Sequence, residues 1–333
     1  MFRRWRLVLS FFILPGFYLP AAAQQSKDDS LRLIRDNMML QAALRYPVLR
    51  MATVQMETAG STHYTSKLYG KDFLSGKIQP RSIVRVSFSH PVYTSGSQEL
   101  SVAAGYVSQT TVLKNTVNQI PQTPINDGTY NLQNLSLALT YKRTDSLFHK
   151  PILWGGTLLT NFSLQSSFGR ATGLLFGIVP LKTTRTTRIS VGLAVVIDPS
   201  SLVPVIPTFS YWHKFARSPW EISLDLPTGL FLRRPVFSKG LLSIGTELAE
   251  NRLLRKTDLP QLQGGFAFKD LDLKNGFKLE YPVFRKVLIG CGGGLLYTTQ
   301  YRVQDPGTRN NNYAIGIKRN PGPYFNINIS LLR

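Results

Sequence analysis

The sequence predicts an all-β fold: a transmembrane antiparallel up-and-down β-barrel of about 12 strands, within roughly 10 to 14, preceded by a short N-terminal helix. From residue 46 onward, apolar and polar residues alternate with the two-residue period of a β-strand. Beyond the N-terminal segment, no apolar run reaches the roughly 20 residues that a membrane-spanning helix needs. Alternation without a long apolar run is typical of barrel strands, which face lipid on one side and the lumen on the other.

The first 23 residues form a predicted signal peptide. Three arginines give a basic head, residues 7–20 are mostly apolar, and small residues precede the predicted cleavage between Ala23 and Gln24. The apolar stretch is too short for a membrane-spanning helix, which favours a signal peptide over a transmembrane anchor. The one cysteine, Cys291, lies far from the cleavage position, so we expect neither a lipid anchor there nor an internal disulfide.

The chain is strongly basic, with 39 Lys and Arg against 18 Asp and Glu and a net charge of +21. Removing the three arginines of the predicted signal from +21 leaves +18 for the mature chain. Such basicity often indicates nucleic acid, but the export signal argues against that partner, and we expect none. Anionic headgroups of envelope lipids are the nearer counter-charge, with a solvated basic surface as the alternative.

Three segments follow along the chain: the signal at 1–23, a polar leader with a short helix at 24–45, and the barrel at 46–333. In the second segment, apolar residues recur at three- and four-residue spacings, which is typical of an amphipathic helix. An unstructured leader to the first strand is the alternative. The residues at these spacings are Leu31, Ile34, Met38 and Ala42.

The last segment of the chain has the clearest alternation. Phe325, Ile327, Ile329 and Leu331 are separated by polar residues, which predicts a C-terminal strand. We expect this strand to close the sheet, because an open sheet edge cannot face lipid. The same period marks further strands at 84–89, 100–106, 134–141, 189–197, 220–226 and 289–303.

The polar faces of these strands hold mostly Ser, Thr, Asn and Gly, which favours a wet or polar-packed lumen. A few charges interrupt them. We expect Glu221, Asp225 and Glu280 to meet basic lumen residues such as Arg85 and Lys278, because buried carboxylates need such partners.

Connections of two lengths are predicted, as in barrels with tight turns at one end and long loops at the other. The short ones are residues 182–185, 215–219 and 235–240, and the long polar ones are residues 60–80, 114–128, 251–263 and 304–312.

Three consecutive segments, 220–227, 231–237 and 242–248, combine alternation with short polar turns. Their pattern resembles the repeated hairpins of uncharacterised families of bacterial outer-membrane β-barrels, and the likeness extends over most of the mature chain. The resemblance implies a location in the bacterial outer membrane and two partners, the outer-membrane lipids and the barrel-assembly machinery. It leaves the oligomeric state open.

No catalytic motif accompanies this architecture: the sequence has no G-x-S-x-G, H-E-x-x-H or C-x-x-C. The glycine-rich residues 290–294 lie inside a strand pattern without the Lys-Ser of a phosphate loop, so they indicate a bend or a close backbone approach. We therefore expect no enzyme activity, no metal and no cofactor. The four histidines are scattered near predicted strand ends and turns: His63, His90, His149 and His213.

The sequence favours a structural or pore-type barrel that passes small anionic solutes, since the charge balance is positive. A surface-binding, adhesin-like barrel acting through its long loops is the alternative. A barrel that hydrolyses lipids through a histidine and a serine, and a soluble secreted β-protein, are two further alternatives.

Overall fold

The computed structural model describes residues 27–120, 127–166, 168–198, 200–201, 203–259, 262–305 and 313–333. The predicted signal peptide and its cleavage position, Ala23 and Gln24, lie outside these residues. Chain contacts separate the unit Leu40–Arg333, which holds every described strand, from the residues before it. No helix in the described part of the chain combines the length and the apolar character that crossing a membrane requires.

The described residues form one α-helix, one 3-10 turn and seventeen β-strands, in chain order. The helix begins at Lys27, inside the segment 24–45 where it was predicted, and ends at Arg45 ahead of Pro47. The elements are α1 (Lys27–Arg45), a 3-10 turn (Pro47–Leu49), β1 (Arg50–Ala59), β2 (Thr62–Leu68), β3 (Lys71–Ile78), β4 (Arg81–Ser95), β5 (Gln98–Asn118), β6 (Gly128–Leu147), β7 (Lys150–Ser163), β8 (Gly169–Thr183), β9 (Thr187–Ile197), β10 (Val205–Lys214), β11 (Glu221–Leu226), β12 (Gly229–Val236), β13 (Gly240–Leu259), β14 (Leu262–Phe284), β15 (Val287–Gln304), β16 (Ile315–Arg319) and β17 (Gly322–Leu332).

Fourteen of these strands form a closed antiparallel ring, in the order β1, β4 to β15 and β17. Closure is made by β17, which pairs with β1 from Leu332 opposite Arg50 to Tyr324 opposite Ala59. The other three strands, β2, β3 and β16, extend the wall beyond the ring between β15 and β5. All backbone pairing is thereby satisfied around the ring, as a barrel requires.

The strand count of the ring is 14, at the upper end of the predicted range and above the central prediction of about 12. Two ring strands depart from the two-residue pattern. In β7 two glycines are adjacent, Gly155 and Gly156, and in β8 apolar residues are consecutive at 174–176. Their pairing is set by neighbouring strands and not by local alternation, which explains why a count from the sequence falls short.

The two ends of the ring differ. At the end that holds Arg50 and Leu332, here called the turn end, connections are tight, and the predicted short segments 182–185, 215–219 and 235–240 all lie there. Several turn residues adopt positive φ, among them Phe148, His149, Phe237 and Ser238. The opposite end, here called the loop end, carries the longer connections 119–127, 164–168, 198–204 and 305–314.

The prediction of a long loop was wrong for two segments. Residues 60–80 mostly form the hairpin β2–β3, and residues 251–259 and 262–263 belong to the far part of the hairpin β13–β14. Both segments are polar, and polar residues at a strand's extremity have the same composition as a loop. Pairing with a neighbouring strand makes the difference, and that pairing is a tertiary property.

Side chains alternate between the two faces of the wall as the sequence predicts for strands. On β17, Phe325, Ile327 and Ile329 point outward with 54%, 47% and 56% of their surface exposed, while Asn328 and Ser330 point inward and are buried. Leu331 follows in the outward phase and is half-buried. The barrel therefore has an apolar outer surface and a polar inner one.

An apolar cluster fills the turn end of the ring. Leu40, Ala43 and Leu44, from the last turns of α1, pack against strand residues that include Leu241 and Leu288. Leu332 of β17 and Leu49 join the cluster. The C-terminal part of α1, residues 40–45, therefore stands inside the turn end and obstructs it.

At the loop end, the hairpin β13–β14 reaches across the ring. Six strands separate β13 from β6 in either direction, yet the Leu254 amide donates to Asn134 Oδ1 at 3.0 Å and the Asn134 amide donates back to the Leu254 carbonyl at 3.2 Å. The Lys256 amide donates to Ser166 Oγ at 2.9 Å in the β7–β8 connection. The hairpin therefore covers the loop end.

A second apolar cluster consolidates this cover. It joins the hairpin β2–β3 and strand β16 to the far parts of β14 and β15, with Phe73 and Val303 almost fully buried. Its buried members are Tyr64, Leu68, Phe73, Leu74, Ile78, Phe266, Val303, Ala314 and Ile315.

Replacing Leu288 with Ala is expected to lower the free energy of unfolding by about 2–5 kcal/mol, because Leu288 is fully buried against the helix at the turn end. Guanidinium unfolding of the protein folded in detergent measures this change. Leu295→Ala is the matched control: it lies on the outward face, half exposed, and should change stability by at most about 0.5 kcal/mol. Equal effects of the two variants would contradict the packing of residues 40–45 inside the ring.

Candidate functional site

The inner surface of the ring is the candidate site, because it gathers charged side chains that a soluble fold would place in water. The five charges singled out from the sequence occupy its inward positions. Glu221 and Glu280 are 1% and 3% exposed, while Arg85, Asp225 and Lys278 are partly buried. Buried carboxylates need cations or hydrogen-bond donors, so their partners define what the lumen can do.

At the turn end, both buried glutamates form ion pairs. The Arg45 guanidinium donates to Glu221 from Nε at 2.8 Å and from Nη2 at 3.0 Å. Glu280 lies 2.8 Å from Arg50 Nη1 and 3.0 Å from Lys278 Nζ. Lys278 is thus one of the basic residues expected around these acids, whereas the two arginines come from α1 and from the start of β1.

Asp225 has a different environment. The hydroxyls of Ser210 and Ser223 donate to its two carboxylate oxygens, and no salt bridge to it is found among the described residues. Hydroxyl donors on the two neighbouring strands, β10 and β11, therefore hold this carboxylate in place.

The middle of the lumen contains a second group around Glu57, a residue that the sequence analysis missed. Lys274 Nζ donates to Glu57 Oε2, and Arg85 Nη1 lies 3.7 Å from the same oxygen. Arg85 also donates to the amide oxygen of Asn251. The alternation of side chains along β1 could have identified Glu57 as a lumen residue, because it follows the outward Met56 and therefore points inward.

A third group, also missed, is centred on Arg81. Its Nη1 donates to Asp270 Oδ2 at 2.6 Å and its Nη2 donates to Asp272 Oδ2 at 2.8 Å. All three side chains are at most 4% exposed. Thr298 donates to the other oxygen of Asp272 at 2.7 Å. The alternation of Asp270, Asp272 and Lys274 along β14 was the available signal.

A fourth group lies at the loop end, around the carboxylate of Asp198 in the β9–β10 connection. Arg170 Nη2 donates to Asp198 Oδ1 at 2.8 Å, and Arg252 Nη1 donates to Oδ2. The Ser200 amide and hydroxyl add donors to Oδ1 at 2.9 and 2.8 Å. Lys269 Nζ donates to the carbonyl and the hydroxyl of Ser200.

The pKa of Asp198 reflects these donors. Burial raises the pKa of this carboxyl, but the hydrogen bonds from Arg252 and Ser200 outweigh burial and lower the pKa to about 2. Asp198 is therefore an anion at neutral pH, held by two guanidinium groups.

The residues considered for other chemistry lie apart. No group of three or more His, Cys, Asp and Glu suited to a metal occurs among the described residues. His213 Nδ1 lies 2.9 Å from Thr187 Oγ1. Residues 290–294 lie inside β15, where a Cβ on Gly294 would stand 2.0 Å from the Asn275 carbonyl oxygen, so this glycine permits a close backbone approach.

No protein-family model matches the chain, and no curated protein matches it. Solved structures similar to it are bacterial outer-membrane β-barrels, the class that the sequence resembles. They include the transport unit of the autotransporter AIDA-I from Escherichia coli, with 9% identity, a TM-score of 0.37 and coverage of 90% of this chain and 97% of that one. The translocator domain of the autotransporter NalP from Neisseria meningitidis has 11% identity, a TM-score of 0.32 and coverage of 91% and 96%. An outer-membrane channel from Pseudomonas putida F1 has 10% identity, a TM-score of 0.35 and coverage of 85% and 96%.

Replacing Arg81 with Met is expected to lower the free energy of unfolding by about 3–5 kcal/mol, because it leaves two buried carboxylates without their cation. Denaturant unfolding in detergent measures the loss. Combining the change with Asp270→Asn and Asp272→Asn should restore most of it. Arg143→Met, which breaks an exposed pair with Asp145, is the control and should cost at most about 1 kcal/mol.

Acid is expected to release the β9–β10 connection. Because the folded pKa of Asp198 is about 2 and the ordinary value is 3.8, the contact is fully stabilising above pH 3.8 and weakens as the pH falls towards 2. Hydrogen exchange at the Ser200 and Ser201 amides, normalised for intrinsic rates, measures this between pH 5 and 2. Asp198→Asn should show low protection throughout, and a wild-type profile independent of pH would contradict the assignment.

Proposed function

We propose that the chain is an integral outer-membrane β-barrel of the pore type, closed in the described state, which passes small anionic solutes. The observation that carries the proposal is the separation of faces: apolar side chains cover the outside of a closed ring and charged ones line the inside. Apolar residues with more than a third of their surface exposed on the outward face include Val54, Met56, Val86, Phe88, Leu137, Leu139, Leu158, Leu175, Leu193, Leu230, Leu232, Ile244, Phe277, Ile289, Leu295, Phe325, Ile327 and Ile329.

A bilayer is the environment that such an outer surface fits. Exposed apolar side chains on every side of a soluble monomer would form an apolar area far larger than soluble proteins tolerate. A closed ring leaves no unpaired strand edge for lipid to meet. An aromatic pair near the turn end, Tyr141 and Trp154 at 6.0 Å, suits the interfacial zone of the membrane.

The partners follow from the same surface. Arg234 stands over the ring of Trp220 at 5.7 Å near the turn end, which suits a cation held at the level of lipid headgroups. We therefore keep anionic outer-membrane lipids and the barrel-assembly machinery as proposed partners, with export through the cleaved signal.

The charged side chains of the lumen favour pore function over a purely structural role. A barrel that served only as an anchor could fill its interior with apolar side chains, whereas this one holds cations at several heights, among them Arg50, Lys274 and Lys278. The lumen groups described above hold nine cations against seven acids, and an excess of positive charge in the lining favours anions. Residues 40–45 and the hairpin β13–β14 obstruct the two ends, so conduction requires one of them to move.

The proposal includes no catalytic residue. A lipid hydrolase is a further alternative after the surface-binding barrel, and His213 is its first candidate because its ring contacts the Thr187 hydroxyl. His213→Ala with a phospholipid substrate tests it: loss of measurable hydrolysis would favour the enzyme, and no hydrolysis by the wild-type chain would remove that candidate.

The wild-type chain is expected to remain folded in sodium dodecyl sulfate without boiling and to migrate differently after boiling, as closed barrels do.

In planar bilayers the wild-type chain should show rare openings with a reversal potential that favours chloride over potassium. A variant lacking residues 254–264, the far part of the hairpin β13–β14, should open more often. Cation selectivity, or a silent bilayer with this deletion folded and inserted, would contradict pore function.

A further inference from the structure

The group at the loop end differs from the others in how its members are held. The three cations, Arg170, Arg252 and Lys269, lie on strands β8, β13 and β14. The carboxylate that they surround, Asp198, lies on a connection between strands. The cations are thus fixed by the sheet, while the anion is carried by a segment that can leave without breaking a strand.

The cations form a cradle for an oxyanion. Asp198 accepts from Arg170 at 2.8 Å and from Arg252 on its other oxygen, so one carboxylate bridges two guanidinium groups. Lys269 Nζ lies within hydrogen-bond distance of Ser200 on the same connection. The exposed fractions are 15% for the Arg170 side chain, 19% for that of Arg252 and 1% for that of Asp198.

Asp198 is the acid that contacts two of the three cations directly. Three cations contact a connection that contributes one carboxylate, and the further acids within electrostatic reach are Glu250 and Asp305. Guanidinium groups suit phosphate and related oxyanions because they offer paired N–H donors in one plane.

The position of the three cations inside the wall indicates whether the anion is a lipid headgroup or a soluble molecule. The Arg170 side chain points to the inner face of the wall, whereas Phe162 and Leu175 point to its outer face. The hairpin β13–β14 lies over Arg170. A phosphate attached to a membrane lipid would lie on the outer side of this wall. The cradle therefore suits a water-soluble oxyanion that arrives through the loop end.

We propose that Arg170, Arg252 and Lys269 form a binding site for a small soluble oxyanion of the phosphate type, and that Asp198 occupies it as a tethered anion. This inference rests on the proposed pore function and names the solute class of that passage. Phosphate takes over the donors of Asp198, and the β9–β10 connection then loses its hold on the hairpin.

The contacts of Asp198 and Ser200 connect the β9–β10 connection to the hairpin at the loop end, so their loss affects the passage. Arg252 and Lys269 belong to the hairpin that covers the loop end, and Asp198 and Ser200 tie it to β9 and β10. Replacing these contacts with contacts to a diffusible anion frees the β9–β10 connection from the hairpin, while Asn134 and Ser166 still hold the hairpin in place. The arriving solute therefore favours release of the β9–β10 connection, because it competes with Asp198 for the same donors.

Isothermal titration calorimetry with inorganic phosphate tests the site directly, on the full chain folded in detergent. Asp198→Asn removes the competing carboxylate, so phosphate should bind at least about tenfold more tightly than to the wild type, since a tethered group acts at an effective concentration of about millimolar or more. Adding Arg170→Gln to this variant should remove the gain. Asp72→Asn, an exposed acid at the loop end, is the matched charge control and should behave as the wild type.

The outcomes separate the site from the pore. Heat-modifiable mobility first shows that each variant is folded. Equal phosphate affinity of the wild type and Asp198→Asn, or unchanged affinity after Arg170→Gln, overturns the site. Phosphate binding in the expected order with silent bilayers supports the site and overturns the pore. With both correct, phosphate binds in the expected order, the bilayers conduct, and phosphate lowers the hydrogen-exchange protection of the Ser200 amide in the wild type.

Discussion

The structure depends on closure of the ring between β17 and β1. Every strand of a barrel needs a hydrogen-bonded neighbour on each side, and the last pair, from Arg50 opposite Leu332 to Ala59 opposite Tyr324, supplies the final two edges. With that pair in place, the inside and outside of the wall become separate environments. Alternation along each strand then sorts apolar side chains to one environment and polar ones to the other.

Closure also explains why the lumen is held by contacts between distant parts of the chain. Arg81 of β4 meets Asp270 and Asp272 of β14, and Glu57 of β1 meets Lys274. In a ring, residues far apart in sequence come together in the interior, where an uncompensated buried charge is costly. The pairs therefore contribute to the choice of one register as well as to stability.

Apolar packing and ionic contacts together hold each end of the barrel closed. At the turn end the packing of Leu40 and Leu44 accompanies the Arg45–Glu221 ion pair, and at the loop end an apolar cluster around Phe73 accompanies the contacts of Asp198. Apolar packing responds little to a small polar solute. Ionic contacts can be exchanged for contacts to another anion, so the contacts of Asp198 are ones with which a solute can compete.

The sequence by itself determined the class of fold and the face of the wall on which most residues lie, because the pleat of a strand has a period of two whatever its neighbours are. It placed Phe325, Ile327 and Ile329 in one phase and Glu221, Asp225 and Glu280 in the other. Only the tertiary structure decided the number of strands, the partner of each charge and the path of the hairpin β13–β14. Register around a closed ring is a joint property of all its strands, so Arg45, Arg81 and Asp198 acquire their partners only once the ring has formed.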